Sequence, residues 1–196
     1  MKQEKRQRRV KHNESLSYTV EVKNKEGQVL RRISAPSRSY VEQWNVLTCI
    51  QVGGVNRMIT ISNGSPYSAA PHSANFRANP GAGDTGQGIR VGKGTTPVAI
   101  DDYALETPCE EGTGTDEFNH QTYTKTAPSV VGSTCSFTHQ RVMINNSGAA
   151  ISVNEIGCHL GATGFGYLGF RDVLPSTVSV PDGGSITVTY TMKVTV

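Results

Sequence analysis

No stretch of the chain is apolar over the roughly 18 residues that a membrane-spanning helix needs, so the sequence predicts no membrane span. The basic N-terminus is followed by no apolar segment, which argues against a secretory signal and for a soluble protein made in a cytoplasm. No G-x-S-x-G elbow is present to hold a nucleophilic serine, and no C-x-x-C or H-x-x-x-H pair to hold a metal. Aromatic residues are sparse at 7% and charged residues at 18%, with a single tryptophan. The four cysteines, Cys49, Cys109, Cys135 and Cys158, have no framework spacing and allow three pairings. Without an export signal they read as reduced thiols, with Cys49 and Cys135 in apolar-patterned, buried segments.

What the chain has instead is turn and strand chemistry. Its 196 residues include 21 glycines and 9 prolines, enough length for one domain with a core, or a domain plus an arm. "SLSYTVEVK" alternates through Leu16, Tyr18, Val20 and Val22, turns at "NKEGQ" and returns as "VLRRI", a hairpin. A single helix is predicted over 39–52. Ser39 and Glu42 form a capping box, Tyr40, Trp44, Leu47 and Ile50 recur at helical spacing, and Gly53-Gly54 end it. Trp44 reads as a plug on an open face of the core, with a binding platform as the alternative. After the strand "RMITIS", residues 64–88 lose periodicity and read as one long loop, mobile in a free subunit and ordered by a neighbour. Further short strands follow, and "STVSV" is expected to pair through "PDGG" with the final strand. There Ile186, Val188, Tyr190, Met192 and Val194 face the core and the intervening threonines face outward. The pattern predicts an all-β fold, an antiparallel β-sandwich or jelly roll over residues 13–196.

Charge is distributed unevenly. Lys2, Lys5, Arg6, Arg8, Arg9 and Lys11 stand against Glu4 alone; removing these from 19 basic and 16 acidic residues leaves 13 and 15. An arm of charge +5, within residues 1–12, thus precedes a body near −2. It is either a solvated terminus or a contact arm for an acidic surface or phosphates, the one route by which nucleic acid would be a partner.

Several motifs invite chemistry. Gly81 to Gly86 matches G-x-G-x-x-G, but a Pro/Ala/Asn loop precedes it and "IRVG" follows, without the strand and helix that would meet a pyrophosphate. "GKGTT" at 92–96 has only half of a phosphate loop. Cys135 and His139 fall on one strand face, whereas the adjacent Cys158 and His159 point to opposite faces, so a metal centre is not expected. His72 and His120 are expected in solvent. The pairs Asp101-Asp102, Glu110-Glu111 and Asp116-Glu117 read as solvated loop acids; an enzyme acting on glycans would need two of them in one cleft.

Three segments, "IRVGKGTTPVAIDDYALETP", "VMINNSGAAISVNEIGC" and "FRDVLPSTVSVPDGGSITVTYTMKVTV", together resemble small structural proteins of tailed bacteriophages, of the head, neck or tail. The set covers residues 89–196. The resemblance implies a non-enzymatic virion component, without cofactor, that associates with itself and with other virion proteins. The alternative from another class is a receptor- or carbohydrate-binding module of a phage fibre. That would place exposed aromatics such as Tyr67, Phe76, Phe118 or Tyr123 around a groove.

Overall fold

A computed structural model describes residues 13–37, 39–161 and 166–196. Strand β1 (Asn13–Lys23) turns at Asn24, whose side-chain oxygen accepts from the Gln28 amide at 2.8 Å, and returns as β2 (Val29–Ser37). On its other side β1 pairs along its whole length with the final strand β12 (Ser185–Thr195), which in turn pairs with β9 (Thr134–Ile144). Three short strands, β6 (Asn119–His120), β7 (Thr124–Lys125) and β8 (Ser129–Val131), share the far side of β9 and complete a seven-stranded antiparallel sheet. The facing sheet has three strands: β5 (Gly88–Gly92), β10 (Ile151–Leu160) and β11 (Tyr167–Val180), with β10 in the middle. Helix α1 (Glu42–Gly53) and the small hairpin β3 (Arg57–Thr60) with β4 (Pro66–Ala69) lie against this framework. The fold is an all-β antiparallel sandwich with one short helix.

The final strand alternates as its sequence pattern requires, up to a point. Ile186, Val188 and Tyr190 are fully buried, and burial of each such side chain is worth about 1.5–3 kcal/mol. Met192 is half-buried and Val194 is 47% exposed, although both lie on the same face. Phe170 of β11 meets Tyr190 edge to face at 4.6 Å, and past that row the smaller sheet no longer covers the larger one. The outer face carries a hydroxyl ladder instead. The hydroxyls of Thr19 and Ser34 are hydrogen-bonded at 2.9 Å, and the Gln140 side-chain amide donates to Thr189 at 2.9 Å.

Four expectations are corrected. First, "PDGG" does not close a hairpin: β11 belongs to the three-stranded sheet and β12 to the seven-stranded one. Buried Asn145 fixes this crossing, its side-chain amide donating to the Val180 carbonyl at 2.9 Å while its backbone bonds Gly183 and Gly184. Second, "STVSV" is not a strand of its own: it continues β11 through Pro175, where the ladder with β10 shifts register between Val153 and Glu155. A proline is tolerated at such a bulge, where no ladder amide is needed. Third, the capping box is absent. Val41 occupies the N-cap, the Glu42 amide donates to the Ile100 carbonyl at 2.8 Å, and the Ser39 hydroxyl instead bonds Ser37 at 2.8 Å. At the other end Gly54 takes the left-handed conformation expected of a helix-terminating glycine. Fourth, segment 64–88 is not all loop, since it contains β4. Ala69, Ala74, Ala78 and Pro80 are buried, and Gln51 donates to the Pro71 and Ala74 carbonyls.

All four cysteines are free. Cys109 and Cys158 are buried as expected of reduced thiols, whereas Cys49 is exposed on α1 and Cys135 only half-buried, despite their apolar-patterned segments.

Candidate binding groove

Where the larger sheet outruns the smaller, its inner face is left open and lined with rings. The relay starts in the core with Tyr18 and Tyr190 (centroids 6.3 Å apart) and passes through Phe170. It continues to Tyr40 at 5.9 Å, Trp44 at 4.6 Å and finally Phe76, 4.9 Å from Trp44 and 38% exposed. Tyr40, bridged to Phe170 just ahead of the helix, Trp44 in the first turn of α1, and the strand rows on β9 and β12 bring these groups together. Phe137 pairs in register with Met192, and His139 with Tyr190.

The result is a trough of adjoining chambers that share Phe137. The central one, about 370 Å³, is walled by Trp44, Phe76, Phe170 and Leu160 over a floor of Phe137, His139 and Met192. A wider chamber of about 690 Å³ extends past Phe76 to Arg77, Asn79, Tyr123 and Lys125. A smaller one of about 240 Å³ runs the other way to Cys135, Val194 and Glu14. Trp44 is therefore both plug and wall: it covers Phe170 and presents its remaining surface to the trough.

His139 sits at the junction of the two larger chambers. The Tyr123 hydroxyl bonds its Nδ1, and burial, followed by the nearby Lys125 ammonium, lowers its pKa. His120 is buried rather than solvated; its Nδ1 lies 3.0 Å from Glu111, but burial and then Arg141 depress its pKa. His159, wholly enclosed, is pushed down to about 3 by burial and then by Arg90. A histidine held neutral in the fold but protonated once unfolded makes stability fall as pH drops below the unfolded value of 6.5. For His159 the slope is about 1.4 kcal/mol per pH unit, or about 3 kcal/mol lost at pH 4.5. Asp172, whose carboxyl is raised by burial, acts oppositely, its contribution being lost as pH rises from 3.8. Urea denaturation at pH 6.5, 5.5 and 4.5 should show this acid weakening, and H159F should shed about one proton's worth of the slope. An unchanged slope would place the titrating group elsewhere.

Two buried arginines organise the rest of the surface. Arg141 donates to four backbone carbonyls, those of Gln121 (2.9 Å), Ile89 (3.3 Å), Gly81 (3.1 Å) and Asp84 (2.7 Å). Burial lowers its pKa to about 10. The G-x-G-x-x-G segment thus presents carbonyls to a cation, the reverse of the amides a phosphate requires. Arg171 bonds Glu155 at 2.7 Å and Asp102 at 2.8 Å. Fully buried Glu155 also accepts from the amides of Gly94 (2.9 Å), Glu106 (3.0 Å) and Thr107 (2.8 Å). The glycines of "GKG" have a steric cause: a Cβ on Gly92 or Gly94 would come within 2.5–2.6 Å of the Glu155 carboxylate.

The acidic pairs are not simply solvated. Asp102 holds Arg171, Glu110 holds Arg90 at 2.8 Å, Glu111 accepts from the His120 amide at 2.7 Å, and Asp116 holds Lys93 at 2.6 Å. Of the paired acids, Asp101 and Asp102 line one cleft of about 570 Å³ together with Glu106, and there Asp102 and Glu106 face Arg171. Among the described residues no group of three metal-binding side chains is assembled.

Of the four aromatics expected around a groove, Phe76 and Tyr123 line it. Phe118 is fully buried and Tyr67 packs against the core. Both fall where a neighbouring strand or loop closes over them. Phe137 is not singled out by the sequence, His139 reads there only as a candidate metal ligand and Met192 only as core, because an alternating strand does not reveal where its cover ends. Lys2, Lys5, Arg6, Arg8, Arg9 and Lys11 lie outside the described residues. Compared with family models, with curated proteins and with solved structures, the chain matches none.

Proposed function

We propose that the chain is a non-enzymatic structural protein of a tailed-phage virion, made in the host cytoplasm, whose sandwich associates with copies of itself and with other virion proteins. The observation that carries this is the uncovered end of the larger sheet. At the β8–β9 tip Val130 is 70% and Val131 77% exposed, beside Val194 and Val196 at the end of β12. Apolar side chains clustered at one end of a sheet mark a contact surface. The edge strand β2 is a poorer candidate, since Arg31, Arg32 and Pro36 guard it against strand addition. Among the described residues no helix is long and apolar enough to cross a membrane.

The test is the oligomeric state. Native mass measurement should give a multiple of the 21.0 kDa chain. V130D/V131D should return it to a monomer while shifting unfolding stability by only about 0.5 kcal/mol, as for other exposed sites. A monomeric wild type at micromolar concentration would overturn the assembly reading.

The second reading, a receptor- or carbohydrate-binding module, is favoured by the open aromatic trough around Trp44, Phe76 and Phe137.

A further inference from the structure

We propose that the trough takes an acidic saccharide, its carboxylate or phosphate held at the Arg77–Lys125 end and its apolar ring face laid on Phe76 and Trp44. This rests on the second reading, that the trough is a carbohydrate site, and adds the chemical class. The first argument is charge. The lining of the two larger chambers includes Arg77, Lys125 and His139 and no carboxylate; Glu14 stands only at the far end of the smallest one. Arg77 and Lys125 are exposed, and neither has an acidic partner among the described residues. Lys125 pairs in register with His139 and both line the larger chamber, which sets the ammonium at the trough. An anion there would meet two cations without an acidic partner, the Arg77 guanidinium donating among the described residues only to the Asn79 side-chain oxygen at 3.5 Å.

The second argument is ring geometry, and it separates a sugar from a nucleobase. The rings stand edge-on or tilted: Trp44 and Phe76 at 61°, Phe137 and His139 at 66°, Tyr123 and His139 at 46°. A flat base gains most from stacking on open, parallel plates. A saccharide offers C–H groups to one ring and hydroxyls to its surroundings, which single faces and the nearby Asn79 amide suit. A body near −2 also disfavours a long polyphosphate, whose binding is driven by many cationic contacts.

Trp44 is the only tryptophan, so its fluorescence reports the trough in the intact protein. Titration with tetragalacturonate, checked by calorimetry, should give a saturable change that weakens with salt. R77Q/K125Q, both at exposed positions, should weaken it about tenfold, the size of two partly screened ion pairs. F76A should weaken it as well, and maltotetraose should bind much less. Equal, salt-insensitive binding of maltotetraose would overturn the acidic class and leave the carbohydrate reading standing. Binding of a thymidine oligonucleotide without either saccharide, or of none of the probes, would overturn both.

Discussion

Glu155→Ala is expected to cost about 3–5 kcal/mol, the range for removing one partner of a buried ion pair. The carboxylate is fully buried and accepts from three backbone amides as well as from Arg171. Truncation leaves Gly94, Glu106 and Thr107 without an acceptor, and Arg171 with Asp102, the Thr96 carbonyl at 3.1 Å and a longer contact to Glu106 at 3.4 Å. Typical domain stabilities are about 5–15 kcal/mol, so a large part of the fold's margin is at stake. Urea denaturation measures the loss, and hydrogen exchange should show the amides of Gly94 and Thr107 losing protection first. Lys93→Ala, which breaks a pair with Asp116 that is exposed on both sides, should leave stability nearly unchanged and serves as the control. Equal losses for the two variants would show that water replaces the Glu155 carboxylate at little cost.

Val188→Asp should be equally severe. Val188 is fully buried, opposite Val20 on one side and Arg141 on the other. An aspartate there loses the valine's burial and must either stay charged beside Arg141 or take up a proton. Arg141 already spends its donors on four carbonyls, so rescue would strip the 81–84 loop of its anchor. A loss of several kcal/mol is expected. Thr189→Asp, one residue along on the outer face, gives up the Gln140 bond and should cost about 1 kcal/mol or less. If the hydroxyl ladder is also a contact surface, Thr189→Asp lowers the native mass without lowering the melting temperature. Two soluble variants of equal stability would show that the face assignment of β12 is wrong.

Period-two alternation was legible where each strand is covered on one face, as from Ile186 to Tyr190. It was misleading where cover ends, because Met192 and Val194 repeat the same pattern over open space. The glycines of "GKGTT" look like phosphate chemistry when read along the chain. In space they make room for a carboxylate from a strand about 60 residues away, and pairing at that separation leaves no local signal.

By itself the sequence determined the class of fold, the β1–β2 hairpin, the position and end of the one helix, and the inward face of β12. All of these follow from local periodicity and turn residues, which act over a few residues. Tertiary structure alone decided which sheet each strand joins. It also decided that "PDGG" crosses between sheets, that Arg141, Glu155 and Arg171 are buried, and that rings from α1, β9, β11 and the 76–79 segment meet in one trough. The physical reason is that a buried charge or an open groove is a property of what covers it, and the cover is supplied by segments distant in the chain.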